Sequence, residues 1–351
     1  MDAACRCENG HSKIDVGVFM SEKLFETPIL FLIFNRPETA QQVFDQIKLV
    51  KPAILYVGAD GPRENKEGEA ELCQQTRNIL QQIDWECELH TLFHEDNLGC
   101  AGAIISAITW FFKCEEMGII LEDDCIPNQD FFWFCKIMLE KYCDESNIMM
   151  ITGDNPISHI AKPNETYYYS RWAHIWGWAT WRRAWELYDN QIMGWPNEYN
   201  KLITDNYFSD IPEFREFIIY YGDEYFKTTK RDSWDFQWAC SILINNGLSI
   251  TPRENLITNI GDSGAHYFNN DTFGLFTPST SLDLRQVRHP DAIAPNKFMD
   301  TISFKHSVRV GTKYYYALKI AGIMRKLKLL PRFPKLHPLS VGLWFKDQLS
   351  K

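Results

Sequence analysis

The sequence predicts an α/β fold: a mostly parallel sheet with helices on both faces, joined to a less regular second half. Three observations predict it. Residues 28–34 form an unbroken apolar run, the pattern of a strand buried on both of its faces. Strand-like runs then alternate with helical spacing through four strands, which calls for parallel strands joined by crossover helices. A polar cluster also follows each of those strands, and ligands of such sheets bind at the carboxyl ends of the strands.

The first strand ends in the turn Asn35-Arg36-Pro37, and residues 38–50 carry Val43, Ile47 and Val50 at helical spacing. A second strand at 53–57 leads into Gly58-Ala59-Asp60-Gly61-Pro62-Arg63, and a charged helix follows at 66–83. A third strand at 88–93 precedes Asp96-Asn97-Leu98-Gly99, and an apolar helix covers 101–112. The fourth strand, 118–121, runs directly into Glu122-Asp123-Asp124. Beyond it come an aromatic stretch at 172–185, a charged connection and a helix-like segment at 234–245. Asn246-Gly247 stops that helix, and residues 271–296 have the composition of a loop. The expected organisation is a leader at 1–27, a domain at 28–300 with halves 28–150 and 151–300, and a tail at 301–351.

Hydrophobic residues are 45% and charged residues 23% of the 351, the balance of a folded chain. A net charge of −10 argues against a general nucleic-acid binder. That charge is uneven. Residues 305–351 hold eleven Lys and Arg against Asp347 alone, a net of +10, so the remainder carries −20. The tail mixes Tyr, Leu and Ile with Lys319, Arg325, Lys326, Lys328 and Arg332, a composition suited to peripheral contact with anionic lipid. Pro331 and Pro334 bar one continuous helix there. No run reaches the roughly 20 apolar residues of a membrane span, and no secretory signal is visible. The ten cysteines show no paired zinc-type spacing. The expectation is a reduced, cytoplasmic protein, at the inner face of a membrane where the tail engages lipid.

Three consecutive acids after a buried strand repel one another unless a proton or a cation intervenes. Hard carboxylate oxygens suit Mn²⁺ or Mg²⁺, which share ligands with substrate phosphates. In an extended chain, alternation sends Glu122 and Asp124 one way and Asp123 the other. The competing reading is a solvated acidic turn.

The run Ile119-Ile120-Leu121-Glu122-Asp123-Asp124, followed by Pro127 and Phe131-Phe132, resembles the metal-binding segment of the N-acetylglucosaminyltransferase I family. That family includes the protein O-mannose N-acetylglucosaminyltransferases. A wider resemblance, over residues 28–266, is to bacterial GT-A proteins with a Trp-Gly-Trp-Ala-Thr-Trp stretch, here at 176–181. The resemblance implies a Rossmann-like GT-A fold and Mn²⁺-dependent transfer of a sugar, with inversion, from a UDP-linked donor to a glycan hydroxyl. It makes Asp124 the direct metal ligand, with Glu122 and Asp123 on the sugar or ribose. Arg36 then contacts the nucleotide and Asp60 the uracil. The family's base lies in a Trp-Asp-Asp-Trp stretch. Trp234-Asp235-Phe236-Gln237-Trp238 departs from that by one missing acid and a displaced Trp, and offers Asp235, with Asp232 as fallback.

Other residues keep two readings. Asn97 and Gly99 either admit a ligand's anion at a helix start or cap that helix. His266, after Asn259-Ile260-Gly261, is either a ligand of metal or pyrophosphate or an ordinary histidine. Trp176, Trp178 and Trp181 either stack on an acceptor sugar or fill a core. Arg182 and Arg183 either meet an anionic acceptor or the diphosphate, or are solvated. The expected partners are a nucleotide-sugar donor and a glycan or lipid-linked glycan acceptor. Two other functions compete: a sugar nucleotidyltransferase, disfavoured by the absence of a Gly-rich basic loop after the first strand, and a non-catalytic carbohydrate-binding protein on the same fold.

Overall fold

The computed structural model describes residues 24–192, 233–261 and 277–307. The first strand, β1 (Ile29–Ile33), is buried along its whole length. Pro37 then opens helix α1 (Pro37–Val50), where its fixed φ and missing N–H cost nothing, and Lys51 ends it in the left-handed region at φ 51°. Ala40, Val43, Phe44, Ile47 and Val50 form the buried stripe of that helix. β2 (Ile54–Ala59), α2 (Glu69–Asn78), β3 (Glu88–Phe93), α3 (Gly99–Cys114) and β4 (Met117–Glu122) follow in the expected alternation. The charged helix is shorter than its predicted span and closes with a 3-10 turn at Ile79–Gln82.

The second half of the chain contributes four strands to the same sheet. After β5 (Cys125–Pro127) and α4 (Gln129–Lys141) come β6 (Ile148–Thr152), β7 (Tyr167–Ser170), β8 (Trp178–Trp181) and the short α5 (Arg182–Trp185). Then follow α6 (Asp235–Ile244), β9 (Leu248–Pro252), β10 (Ile257–Asn259) and α7 (Lys297–Ser307). The eight-stranded sheet has the order β3-β2-β1-β4-β8-β6-β9-β7. Six strands run parallel; β8 and β7 run against them. β10 pairs with β5 in a separate ribbon.

Side-chain alternation divides the core into two layers. Ile29, Phe31 and Ile33 pack with Val43, Phe44 and Ile47 of α1 and with Phe131, Phe134 and Met138 of α4. Leu30 and Leu32 pack on the other face with Ile104, Ile108 and Phe111 of α3 and with Trp238 and Ile242 of α6. The sheet is therefore covered on both sides, which is why β1 and β6 read as continuous apolar runs. Each fully buried aliphatic or aromatic side chain contributes roughly 1.5–3 kcal/mol.

The order β3-β2-β1 grows to one side of β1, and β4 lies on the other. The crevice above β1 and β4 is thus the switch point at which open α/β sheets take ligands.

Two boundaries and one local conformation differ from expectation. Phe25 is buried and bridges Pro52, so the ordered chain joins the core before residue 28. The predicted division at 300/301 falls inside α7, whose Met299, Asp300, Phe304 and His306 are buried. Asp300 explains that docking: it accepts from Ser170 Oγ at 2.7 Å and Arg171 Nε at 2.8 Å at the end of β7. The predicted extended alternation through the acids also fails, because the chain turns at Asp123-Asp124. Among the described residues no helix is long and apolar enough to cross a membrane.

Candidate active site

Arg36 stands at the N-cap of α1, two residues beyond Phe34 and above the end of β1. One of its Nη atoms pairs with Asp123 Oδ1, and the other donates to Asp124 Oδ2 at 2.9 Å. The turn after β4 brings both carboxylates to one guanidinium; a straight strand would have sent them to opposite faces. Asp123 is buried and also accepts the Phe34 N–H at 3.3 Å. Burial pushes its carboxyl up to about 6, against the pull of Arg36. Burial also works against the Arg36 charge, but Asp123 and Asp124 more than offset it and hold the guanidinium above its usual range.

Glu122 ends β4, and its Oε1 is sealed from solvent with no hydrogen-bond partner. Burial, and then the negative charges of Asp124, Asp123 and Asp235, push its carboxyl well above the ordinary range. Asp235 thus belongs to the same cluster although it lies over a hundred residues away. It opens α6 and accepts from Ser233 Oγ. The adjoining Trp234 stacks on Trp178 of β8, with centroids 5.6 Å apart and planes at 22°, which sets the start of α6 beside the end of β4.

The ribbon of β5 and β10 closes the other side. Ile260 N–H donates to the Asp124 carbonyl at 2.9 Å. A Cβ on Gly261 would lie 2.3 Å from Asp124 Oδ2, so any larger residue here would have to displace the carboxylate. Cys125 Sγ sits 3.4 Å from Asp124 Oδ1. His266 lies outside the described residues, as does Asp232.

Asp60 and Asn97 come together as predicted, but they bind each other. Asn97 Nδ2 donates to Asp60 Oδ2 and to the Gly61 carbonyl, both at 2.8 Å. Asp60 Oδ1 accepts the N–H groups of Gly61 and Leu98, also at 2.8 Å. Burial raises the Asp60 carboxyl, and these N–H donors partly counter that. The Gly99 N–H also faces this carboxylate, so its roughly four acceptor positions are largely taken up within the protein.

Several residues escaped the sequence reading. Glu69, buried at the start of α2, accepts from Arg63 Nε at 2.9 Å, the Arg63 N–H at 2.8 Å and Asn35 Nδ2 at 2.9 Å. Its bonds to Arg63 hold its carboxyl down at about 2 despite burial. It ties the turn after β1 to the loop after β2. Asp154, two residues past β6, is buried 3.6 Å from His174 Nδ1. Burial pushes Asp154 up to about 8 and His174 down to about 4. Nothing local in the sequence distinguishes Glu69 in a charged helix. Asp154, just past an apolar strand run, had the same signal as Asp60 and could have been found by it.

The aromatic stretch resolves toward the core. Trp178 and Trp181 are buried strand residues, and Trp176 packs partly buried against the core layer that contains Trp181. Arg182 and Arg183 lie at the wrong end of the sheet. Trp181 pairs with Met117 at the start of β4, roughly 17 Å from its acidic end. There Arg182 Nη1 pairs with Glu116, and Arg183 donates to the carbonyls of Tyr142, Cys143 and Ile148.

The donor set fits Mn²⁺ or Mg²⁺ in kind. Asp124 and the unpartnered Glu122 oxygen are hard ligands. Among the described residues no three His, Cys, Asp or Glu gather to hold a metal alone, which leaves the remaining positions to water and phosphate oxygens.

No protein-family model and no curated protein matches the chain. Among solved structures, a 4-diphosphocytidyl-2C-methyl-D-erythritol synthase from Anaerococcus prevotii matches 60% of this chain and 81% of its own, at 9% identity and a TM-score of 0.28. An apo UDP-glucose pyrophosphorylase matches 64% of this chain and 90% of its own, at 10% identity and 0.27. At these scores the matches say nothing about this chain's reaction. The architecture itself is a Rossmann-like α/β sheet, with Arg36, Asp60 and the acidic turn following β1, β2 and β4.

Proposed function

We propose that this crevice binds a nucleotide-linked sugar and that the chain is an enzyme acting on it. The observation that carries the proposal is the convergence of Arg36, Asp123 and Asp124 at the switch between β1 and β4. Asp60, after the adjacent β2, lies where the base of the same nucleotide would rest. A fork of guanidinium N–H groups matches a phosphate bidentately. Asp124 would hold a divalent cation, which supplies charge to offset a developing diphosphate.

Within that class the leading reading is glycosyl transfer to a glycan hydroxyl, with inversion. Asp235 supports it, because a carboxylate beside the acidic turn can take the proton of an attacking hydroxyl. Glu122, whose carboxyl burial and the neighbouring acids push above the ordinary range, would hydrogen-bond the sugar or ribose. The second reading is a sugar nucleotidyltransferase. What favours it on this chain is charge: Arg36 and Arg63 both flank the first two loops, and a triphosphate needs more positive charge than a diphosphate.

Product analysis separates the two. Incubated with Mn²⁺ and a panel of UDP-sugars, a glycosyltransferase releases UDP and free sugar slowly by transfer to water. A nucleotidyltransferase instead releases pyrophosphate from UTP and a sugar phosphate. Pyrophosphate without UDP would replace the first reading by the second; neither product would overturn both.

A further inference from the structure

We infer that Arg36 is the resident counter-ion of the acidic turn, and that a nucleoside diphosphate must draw it off before a divalent cation binds Asp124 tightly. The inference rests on the nucleotide-binding reading of the crevice and adds an order to it. Arg36 divides its two Nη atoms between two acids, Asp123 and Asp124. Asp124 is thereby engaged at both oxygens, Oδ2 by Arg36 and Oδ1 by the Cys125 thiol. The Gly261 backbone fills the space beside Oδ2. A cation approaching Asp124 alone therefore meets a full positive charge already seated at the oxygen it needs.

The asymmetry of the pairing gives the exchange its direction. One guanidinium faces two carboxylates, with Glu122 and Asp235 close behind. Removing Arg36 from the turn leaves an excess of negative charge that favours the entry of another cation. A diphosphate can remove it, because phosphate oxygens match the guanidinium fork and carry more charge than one carboxylate. The Arg36 side chain is 29% exposed, against 4% for Asp123 and 13% for Asp124, so the arginine is the member free to swing into the crevice. Diphosphate and cation then favour one another's binding, and linkage makes the effect reciprocal.

The test is titration calorimetry of Mn²⁺ into the full-length protein, with and without UDP, for the wild type, Arg36→Gln and Arg36→Lys. For the wild type we expect weak Mn²⁺ binding alone and binding at least tenfold tighter with UDP. Arg36→Gln is expected to bind Mn²⁺ alone at least tenfold more tightly than the wild type, and to lose most of the UDP enhancement. Arg36→Lys, which keeps one charge but not the fork, is expected to fall between them. Equal Mn²⁺ affinity in all three proteins without UDP would overturn the counter-ion role and leave a metal site standing. No Mn²⁺ binding by any of them, with or without UDP, would remove both.

Discussion

Two guanidinium–carboxylate contacts in this protein have nearly the same chemistry and opposite consequences. Arg171 and Asp300 meet at 2.8 Å between the end of β7 and α7, with side chains 3% and 0% exposed. Arg36 meets Asp123 and Asp124 at the mouth of the crevice, with 29% of its side chain open to solvent. The first contact is sealed from solvent, with Ser170 also donating to Asp300. Nothing can exchange with it, so it serves as a fastener. The second is one cation between two acids, is open to solvent, and lies at the sheet's switch point. Burial and charge balance, rather than the residue types, separate a structural pair from a functional one.

The largest difference should therefore appear in stability. Arg171→Met leaves Asp300 as an uncompensated buried charge and is expected to cost about 3–5 kcal/mol in urea unfolding. Arg36→Met, at a partly exposed contact whose buried acids can take up a proton, is expected to cost clearly less than that. Equal losses would erase the distinction. Adding Asp300→Leu to Arg171→Met is expected to restore much of the loss, because removing both charges removes the desolvation cost.

A smaller effect concerns Asp154 and His174, a buried pair at the same carboxyl edge that lacks a strong mutual bond. Asp154 rises from its ordinary 3.8 to about 8, so the folded protein holds a proton there that the unfolded chain has lost. Stability from this group is present below the unfolded value and falls as pH rises toward 8. His174 drops from 6.5 to about 4, so its contribution runs the other way and is gained between those values. The two slopes oppose each other below pH 6.5, which leaves the decline from Asp154 exposed between pH 6.5 and 8. We expect about 1–2 kcal/mol of stability to be lost across that window. Asp154→Asn should flatten the loss; an unchanged slope in urea titrations at stepped pH would remove Asp154 as its source.

Much of the parallel half was legible because its physics is local. The apolar runs of β1 and β4 and the apolar stripe of α1 each report burial within a few residues, and β3 falls at the predicted 88–93. The placement of Arg36, Asp60, Asn97 and the acidic turn at strand ends followed from the same alternation. The site's internal wiring did not. That Asp60 and Asn97 would bond to each other, or that Arg36 would clasp both Asp123 and Asp124, depends on a turn and on contacts 37 and 87–88 residues apart. The second half hid more. β8 enters the sheet between β4 and β6, out of chain order, so its tryptophans read equally as a sugar platform or as a core. The Arg171–Asp300 fastener spans 129 residues, and no periodicity announces it.

Everything proposed for the crevice depends on Asp124 holding the cation that grips a diphosphate. Titration calorimetry of UDP in the presence of Mn²⁺, comparing the wild type with Asp124→Asn, addresses this. We expect the substitution to weaken UDP binding at least tenfold with Mn²⁺ and to leave the residual metal-free binding little changed. Undiminished Mn²⁺-dependent UDP affinity in Asp124→Asn would contradict the assignment.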